Sequence, residues 1–155
     1  EGTELWRRIV KQLLACAALA LLTIGCNSDT AAPTNPSQVN IEFTTTDLVV
    51  GAGPQAAAGN AATVHYTLWL YNSAGADSKG QQLQTSVGGQ PFTFVVGVGQ
   101  VIPGFDQGTL GMRAGGRRRL YVPANLAYGS SGSQNGQIPP NAALVFEVEL
   151  VTLVQ

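Results

Sequence analysis

The chain has 155 residues, with eight basic and nine acidic side chains and a formal charge of −1. That length accommodates one domain and an appendage rather than two full domains, and so even a charge balance nominates no polyanionic partner such as nucleic acid. Nineteen glycines and eight prolines favour β structure with many turns over a helical bundle. The two cysteines, Cys16 and Cys26, both lie in the first segment, which leaves none for a disulfide or a cysteine metal cluster beyond it.

Residues 1–25 read as a secretory signal: Arg7, Arg8 and Lys11 precede an apolar run over 13–24, and small residues follow. The run is shorter than the roughly 20 apolar residues a membrane helix needs. Its ending, Leu22-Thr23-Ile24-Gly25-Cys26, resembles a bacterial lipobox, with Thr23 where Leu is usual. The resemblance implies a lipid on Cys26, which becomes the mature N-terminus; the bland alternative is an ordinary signal peptide with an incidental cysteine. Asn27 follows instead of the inner-membrane retention residue Asp, which implies an exported protein anchored to the outer membrane and facing the periplasm. The rest of 26–38 is small, polar and Pro-punctuated, the composition of a flexible tether. Loss of Arg7, Arg8 and Lys11 together with Glu1 and Glu4 leaves five basic and seven acidic residues, a net of −2, which again speaks against nucleic acid.

From residue 39 the pattern turns β, and 39–155 forms the folded domain. Val39, Ile41 and Phe43 alternate with polar residues. The stretch 47–51 is a second short apolar piece, and 51–60 a loop. Residues 62–71 read as a strand with Val64, Tyr66 and Leu68 on one face, and 72–82 as a polar loop. Leu83 and Gln84 resume the chain before a Gly88-Gly89 turn. Residues 91–96 are a strand whose Phe92 and Phe94 share a face. The one helix falls within 101–112, where Pro103 suits a first turn and Phe105, Leu110 and Met112 are apolar. Its glycines lower helix propensity, so it needs a β wrapper to persist. Residues 116–122 form a strand, 123–140 a long loop and 142–154 the closing strand. The prediction is an α+β domain: a twisted antiparallel sheet of five or six strands around one short helix.

Four segments in this order carry a resemblance: Val64-His65-Tyr66-Thr67, Val101-Ile102-Pro103-Gly104-Phe105, Leu126-Ala127-Tyr128-Gly129, and the run from Ile138-Pro139-Pro140 to Val148-Glu149-Leu150. Together they resemble the FKBP-type peptidyl-prolyl cis-trans isomerases over about 47–153. The family fold is a twisted antiparallel half-barrel around a short helix. The resemblance implies a proline pocket of Tyr66, Phe92, Val101, Ile102, Phe105, Tyr128, Ile138 and Phe146. Within it, Tyr66, Ile102, Phe105, Tyr128 and Phe146 carry the catalysis, while Leu83, Gln84, Phe92, Val101 and Ile138 bind substrate. Phe105 stands where most members have Trp, and Leu83 where Phe is usual. Gln84 replaces an Asp, and the basic partner of that Asp is missing from Val87-Gly88-Gly89.

The implied partners are proline-containing segments of client proteins, with only weak binding of the immunosuppressant macrolides; a monomer with no cofactor and no metal is expected. Gln84 predicts reduced rather than abolished turnover. A peptide-binding or chaperone-like module on the same fold is the alternative, and an adhesin-like surface domain a weaker third. Taken alone, aromatic residues in a small domain are core more often than site, and Phe94 stays with that reading. His65 points away from Tyr66 and reads as structural. Arg117-Arg118-Arg119 reads as a solvated sheet surface, and Gly97-Val98-Gly99 lacks the Gly-Lys-Ser/Thr of a phosphate loop.

Overall fold

The computed structural model describes residues 38–154. The predicted signal segment, Cys26 and the tether up to residue 37 lie outside the described residues. Among those described, six strands and one α-helix follow in the order β1 (Thr44–Val49), β2 (Ala61–Tyr71), β3 (Lys79–Thr85), β4 (Phe92–Val95), α1 (Pro103–Thr109), β5 (Arg117–Val122) and β6 (Leu144–Val154). All pairings are antiparallel, in the order β1-β5-β6-β2-β3, with β4 also on β2. The expected α+β sheet around one helix is the architecture found. None of the helices described is long and apolar enough to cross a membrane.

β2 and β6 form the spine, paired from Ala61↔Val154 to Leu70↔Leu144. Period-2 alternation along both strands sends one set of side chains inward: Ala62, Val64, Leu68, Leu144, Phe146, Val148 and Leu150 are buried in a single core with Leu120 and Val122 of β5. The free edge of β2 is shared, with β4 along Ala61–Val64 and β3 along Thr67–Tyr71. At the junction, the Ser86 hydroxyl accepts from the Tyr66 N–H at 3.0 Å and the Ser86 N–H donates to Tyr66 O at 2.9 Å. The handover therefore costs no backbone hydrogen bond, and it fixes Tyr66.

The helix is seven residues long, and two of its glycines explain how it fits. A Cβ on Gly104 would collide with the Val122 side chain, and one on Gly108 would come within 2.6 Å of Leu120 Cδ1 and Cδ2. Glycine at i and i+4 lets the helix backbone lie directly on β5. Arg118 donates to the carbonyls of Gly108 and Leu110, both at 3.0 Å, covering acceptors that a helix C-terminus leaves free.

Three expectations need correction. The first strand begins at Thr44, so Val39, Ile41 and Phe43 approach the sheet without joining it, although Phe43 packs on the core. The loop expected over 72–82 gives way to β3 at Lys79, which pairs with Tyr71. Of Arg117-Arg118-Arg119, only Arg117 lies on the solvated surface; Arg118 and Arg119 are half-buried, because sheet register supplies partners. Asp47 lies opposite Arg118 and binds it twice, at 2.5 and 3.1 Å. Glu147 lies opposite Arg119 and binds it at 2.8 Å, while Lys79 reaches the same carboxylate at 2.7 Å and Asp77 binds Arg119 at 2.8 Å.

Candidate active site

One open cavity of about 500 Å³ lies between the concave face of the sheet and the helix. That volume falls within the roughly 300–1,000 Å³ of small-ligand sites. β2 contributes Tyr66 and Leu68, and β6 contributes Phe146. Phe92 comes from β4 and Gln84 from β3. Gly99, Gln100, Val101 and Ile102 arrive on the loop into the helix, Phe105 on its first turn, and Tyr128 on the long loop before β6.

Phe105 is the hub. It is 4 % exposed and meets three rings edge-on or obliquely: Phe146 with centroids 5.3 Å apart, Phe94 at 5.5 Å and Tyr66 at 5.9 Å. Tyr66 in turn meets Phe92 at 6.1 Å. Such tilted contacts align ring edges with faces and hold a concave wall of rings in one arrangement. Phe94 stacks under Phe92 at 5.7 Å but is itself buried, so it supports the wall from behind.

The polar groups at the cavity are few. Burial, aided by the neighbouring Tyr128, raises the Tyr66 hydroxyl above the ordinary tyrosine range, so it stays neutral at physiological pH. Among the described residues, no protein acceptor or donor is paired with the hydroxyls of Tyr66 and Tyr128 or with the Ile102 N–H. Buried side-chain N and O atoms, by contrast, all have partners among the described residues. The unpaired groups are gathered where a ligand would meet them.

Eight of the ten predicted pocket residues line this cavity: Tyr66, Gln84, Phe92, Val101, Ile102, Phe105, Tyr128 and Phe146. Leu83 and Ile138 do not. Leu83 alternates with Gln84 along β3 and packs against the core instead. Ile138 is 5 % exposed in that core, its N–H held by the Ser133 hydroxyl at 2.8 Å. His65 faces away from the cavity, its Nδ1 3.0 Å from Ser86 O.

Sequence reading passed over Leu68, Gln100 and Asp106. Leu68 was signalled by its shared face with Tyr66. Gln100 both lines the cavity and accepts the Val95 N–H at 2.8 Å. Asp106, 7 % exposed, takes the Gly97 N–H at 2.6 Å and the Gly99 N–H at 3.0 Å, which ties down the loop that carries Gln100, Val101 and Ile102. Nothing in the sequence announces that clamp, because its donors are backbone groups.

An open, curled antiparallel sheet that holds a ring-lined hollow against a short helix defines a class of small ligand-binding and catalytic domains. Comparison with known proteins narrows the class. Residues 53–151 match the FKBP-type peptidyl-prolyl cis-trans isomerase family. The chain is 45 % identical over 109 residues to an FK506-binding protein of Neisseria meningitidis serogroup B, covering 70 % of this chain and 94 % of that one. It is 36 % identical over 140 residues to FK506-binding protein 2 of Dictyostelium discoideum, covering 90 % and 97 %. Among solved structures, a peptidyl-prolyl cis-trans isomerase from Pseudomonas syringae superposes with a TM-score of 0.60 at 32 % identity, over 73 % of this chain and 76 % of that one. The crystal structure of AtFKBP13 gives 0.61 at 36 % identity, over 72 % and 93 %. The chain belongs to the FKBP-type peptidyl-prolyl cis-trans isomerase family, and it is an enzyme of that class.

Proposed function

We propose that the protein accelerates rotation about Xaa-Pro bonds in exported client proteins by holding the proline in the ring-lined cavity and stripping water from the imide. Unaided, that rotation faces a barrier of roughly 18–20 kcal/mol and takes tens of seconds. No bond is broken, so the reaction needs neither nucleophile nor general base. The planar imide is stabilised by charge separation between O and N, and water favours that polar form over the less polar twisted one. A hollow walled by Phe92, Phe105, Phe146, Val101 and Tyr66 withdraws that preference. A thousandfold acceleration requires about 4 kcal/mol of stabilisation felt by the twisted state and not by the planar one.

The Ile102 N–H and the Tyr128 hydroxyl hold the substrate's carbonyl oxygens, and the rings of Phe105, Phe146, Phe92 and Tyr66 surround the pyrrolidine. The observation that carries this reading is the convergence of Phe105, Tyr66, Phe92 and Phe146 with unpaired polar groups on one cavity. Macrolides of the immunosuppressant type bind the same hollow weakly, because Gln84 brings no charge to its edge. The setting is the cell envelope: lipid on Cys26 anchors a monomer to the outer membrane, and residues 27–38 let it reach clients in the periplasm. Each buried methylene of an acyl chain contributes about 0.8 kcal/mol to such anchoring.

A cis-enriched Xaa-Pro peptide mixed with the protein tests the chemistry. Faster relaxation to the trans form supports the isomerase, and binding without acceleration favours a peptide-holding module. Mass spectrometry of membrane-extracted protein tests the anchor, through diacylglycerol mass on a mature chain beginning at Cys26.

A further inference from the structure

Asn135-Gly136 is the only Asn-Gly pair in the chain. The other asparagines of 38–154 precede Ile41, Ala61, Ser73, Leu126 and Ala142, each with a Cβ beside its backbone nitrogen. Glycine lacks that atom, so the Gly136 nitrogen is the least hindered of these neighbours. Both residues of the pair are exposed, in the loop before β6, and Gly136 sits in the left-handed region with φ of 70°.

The Asn135 side chain is held at both ends. Its Oδ1 accepts from the Ser133 hydroxyl at 2.7 Å and from the Gln137 N–H at 3.2 Å, while its Nδ2 donates to Gln137 Oε1 at 3.1 Å. Ser133 Oγ in turn accepts the Ile138 N–H at 2.8 Å, which leaves its proton for Asn135. Two donors on one carbonyl oxygen draw electron density from Cγ and stabilise the negative charge that forms on Oδ1 when Cγ is attacked. One bond opposes attack: the Gly136 N–H donates to Ser133 O at 2.9 Å and must first be released. At an exposed loop tip, water replaces that bond at little cost.

We propose that Asn135 is a self-modification site, at which the loop promotes its own deamidation. The Gly136 nitrogen gives its proton to hydroxide and attacks Cγ of Asn135, forming an N–Cγ bond and placing charge on Oδ1. The Cγ–Nδ2 bond then breaks, Nδ2 takes a proton from water and leaves as ammonia, and a five-membered succinimide remains. Attacking group and target belong to adjoining residues, so no encounter has to be arranged. Water opens the ring at either carbonyl. Breaking the new N–Cγ bond yields Asp, and breaking the bond from that nitrogen to the main-chain carbonyl yields iso-aspartate. Residues 123–146 contain no Asp, Glu, Lys, Arg or His, so either product charges the neutral loop that carries Tyr128. Iso-aspartate also adds a methylene to the backbone between Ser133 and Ile138, which are paired by the Ser133 N–H to Ile138 O at 3.0 Å.

The test is to age the folded protein at mildly alkaline pH beside a synthetic peptide of residues 130–140, and to map both by mass spectrometry. Exchange of ammonia for water at Asn135, with Asp and iso-aspartate both present, is expected at a rate no lower than the peptide's. Conversion about tenfold slower in the folded protein shows that the turn protects the pair, and the proposal falls. Ser133→Ala keeps the Asn-Gly pair and removes one donor from Oδ1, so conversion slows at least about threefold. Ser133→Thr keeps the hydroxyl and the parent rate. An unchanged or faster rate in the Ala variant overturns the proposal, and so does equal slowing in both variants, which would trace the effect to altered packing of the loop and not to the hydroxyl.

Discussion

Asp106 offers the sharpest test of how the site is held. Its carboxylate takes two backbone N–H groups, Gly97 at 2.6 Å and Gly99 at 3.0 Å, and no basic side chain pairs with it among the described residues. Both glycines sit in the left-handed region, with φ of 77° and 73°, so the loop has little other regular bonding to define it. In Asp106→Asn one oxygen still accepts, but the amide nitrogen faces the second N–H donor to donor. Hydrogen bonds to charged acceptors contribute about 1.5–3 kcal/mol each, and an orphaned buried N–H costs a comparable amount. Relief of a buried, unpaired charge offsets part of that loss.

The balance predicts a stability loss of about 2 kcal/mol for Asp106→Asn and a larger one for Asp106→Ala, which orphans both donors. Urea unfolding measures it. Assayed where both variants remain folded, kcat/KM falls about tenfold, the equivalent of 1.4 kcal/mol, because Val101 and Ile102 lose their fixed position. An Asn variant within about 0.5 kcal/mol of the parent, with unchanged turnover, would refute the reasoning, since changes that small are typical of inconsequential surface sites.

Three further outcomes are expected. Gln84→Asp restores a charged acceptor at the cavity edge and raises kcat/KM several-fold; unchanged turnover would show that position 84 takes no part in the chemistry. Gly104→Ala drives a Cβ into the stiff Val122 side chain, and overpacking of about 1–3 kcal/mol outweighs the gain in helix propensity of about 1 kcal/mol, so thermal unfolding shifts downward. Burial alone would raise the Glu147 carboxyl, but hydrogen bonds from Lys79 and Arg119 hold it below the ordinary range. A lowered carboxyl contributes stability that is present above its unfolded value and lost as pH falls through the folded one, so stability holds near neutrality and declines in acid. Glu147→Gln flattens that decline in pH-dependent urea titrations, and an unaltered acid limb would contradict the assignment.

The elements that sequence made legible are those whose side chains face a dry interior. β2, β4 and β6 show apolar alternation because one face of each is buried, and Pro103 marks the helix start. β1 and β3 were poorly marked for the opposite reason: Thr44–Thr46 and Gln81–Gln84 are polar stretches ordered by backbone pairing to β5 and β2. The pairing of Arg118 and Arg119 is not legible in the sequence, because their partners, Asp47, Asp77 and Glu147, are distant in the chain and meet them only through sheet register and the turn before β3. At the site, the aromatic residues could be named from the ordered segments, whereas Leu83 and Ile138 went to the core. Asp106 and Gln100 escaped notice because each acts on backbone N–H groups, whose placement depends on turns and not on side-chain pattern.

The central claim is that one hollow both binds the proline and lowers the barrier to rotation. Exchange NMR on a proline peptide with the labelled protein measures both at once. The account predicts accelerated cis–trans exchange, peptide-induced shifts centred on Tyr66, Ile102, Phe105, Tyr128 and Phe146, and loss of both effects together in Phe146→Ala. Accelerated exchange with shifts mapping to another surface, or binding at these residues with exchange no faster than in water, would contradict it.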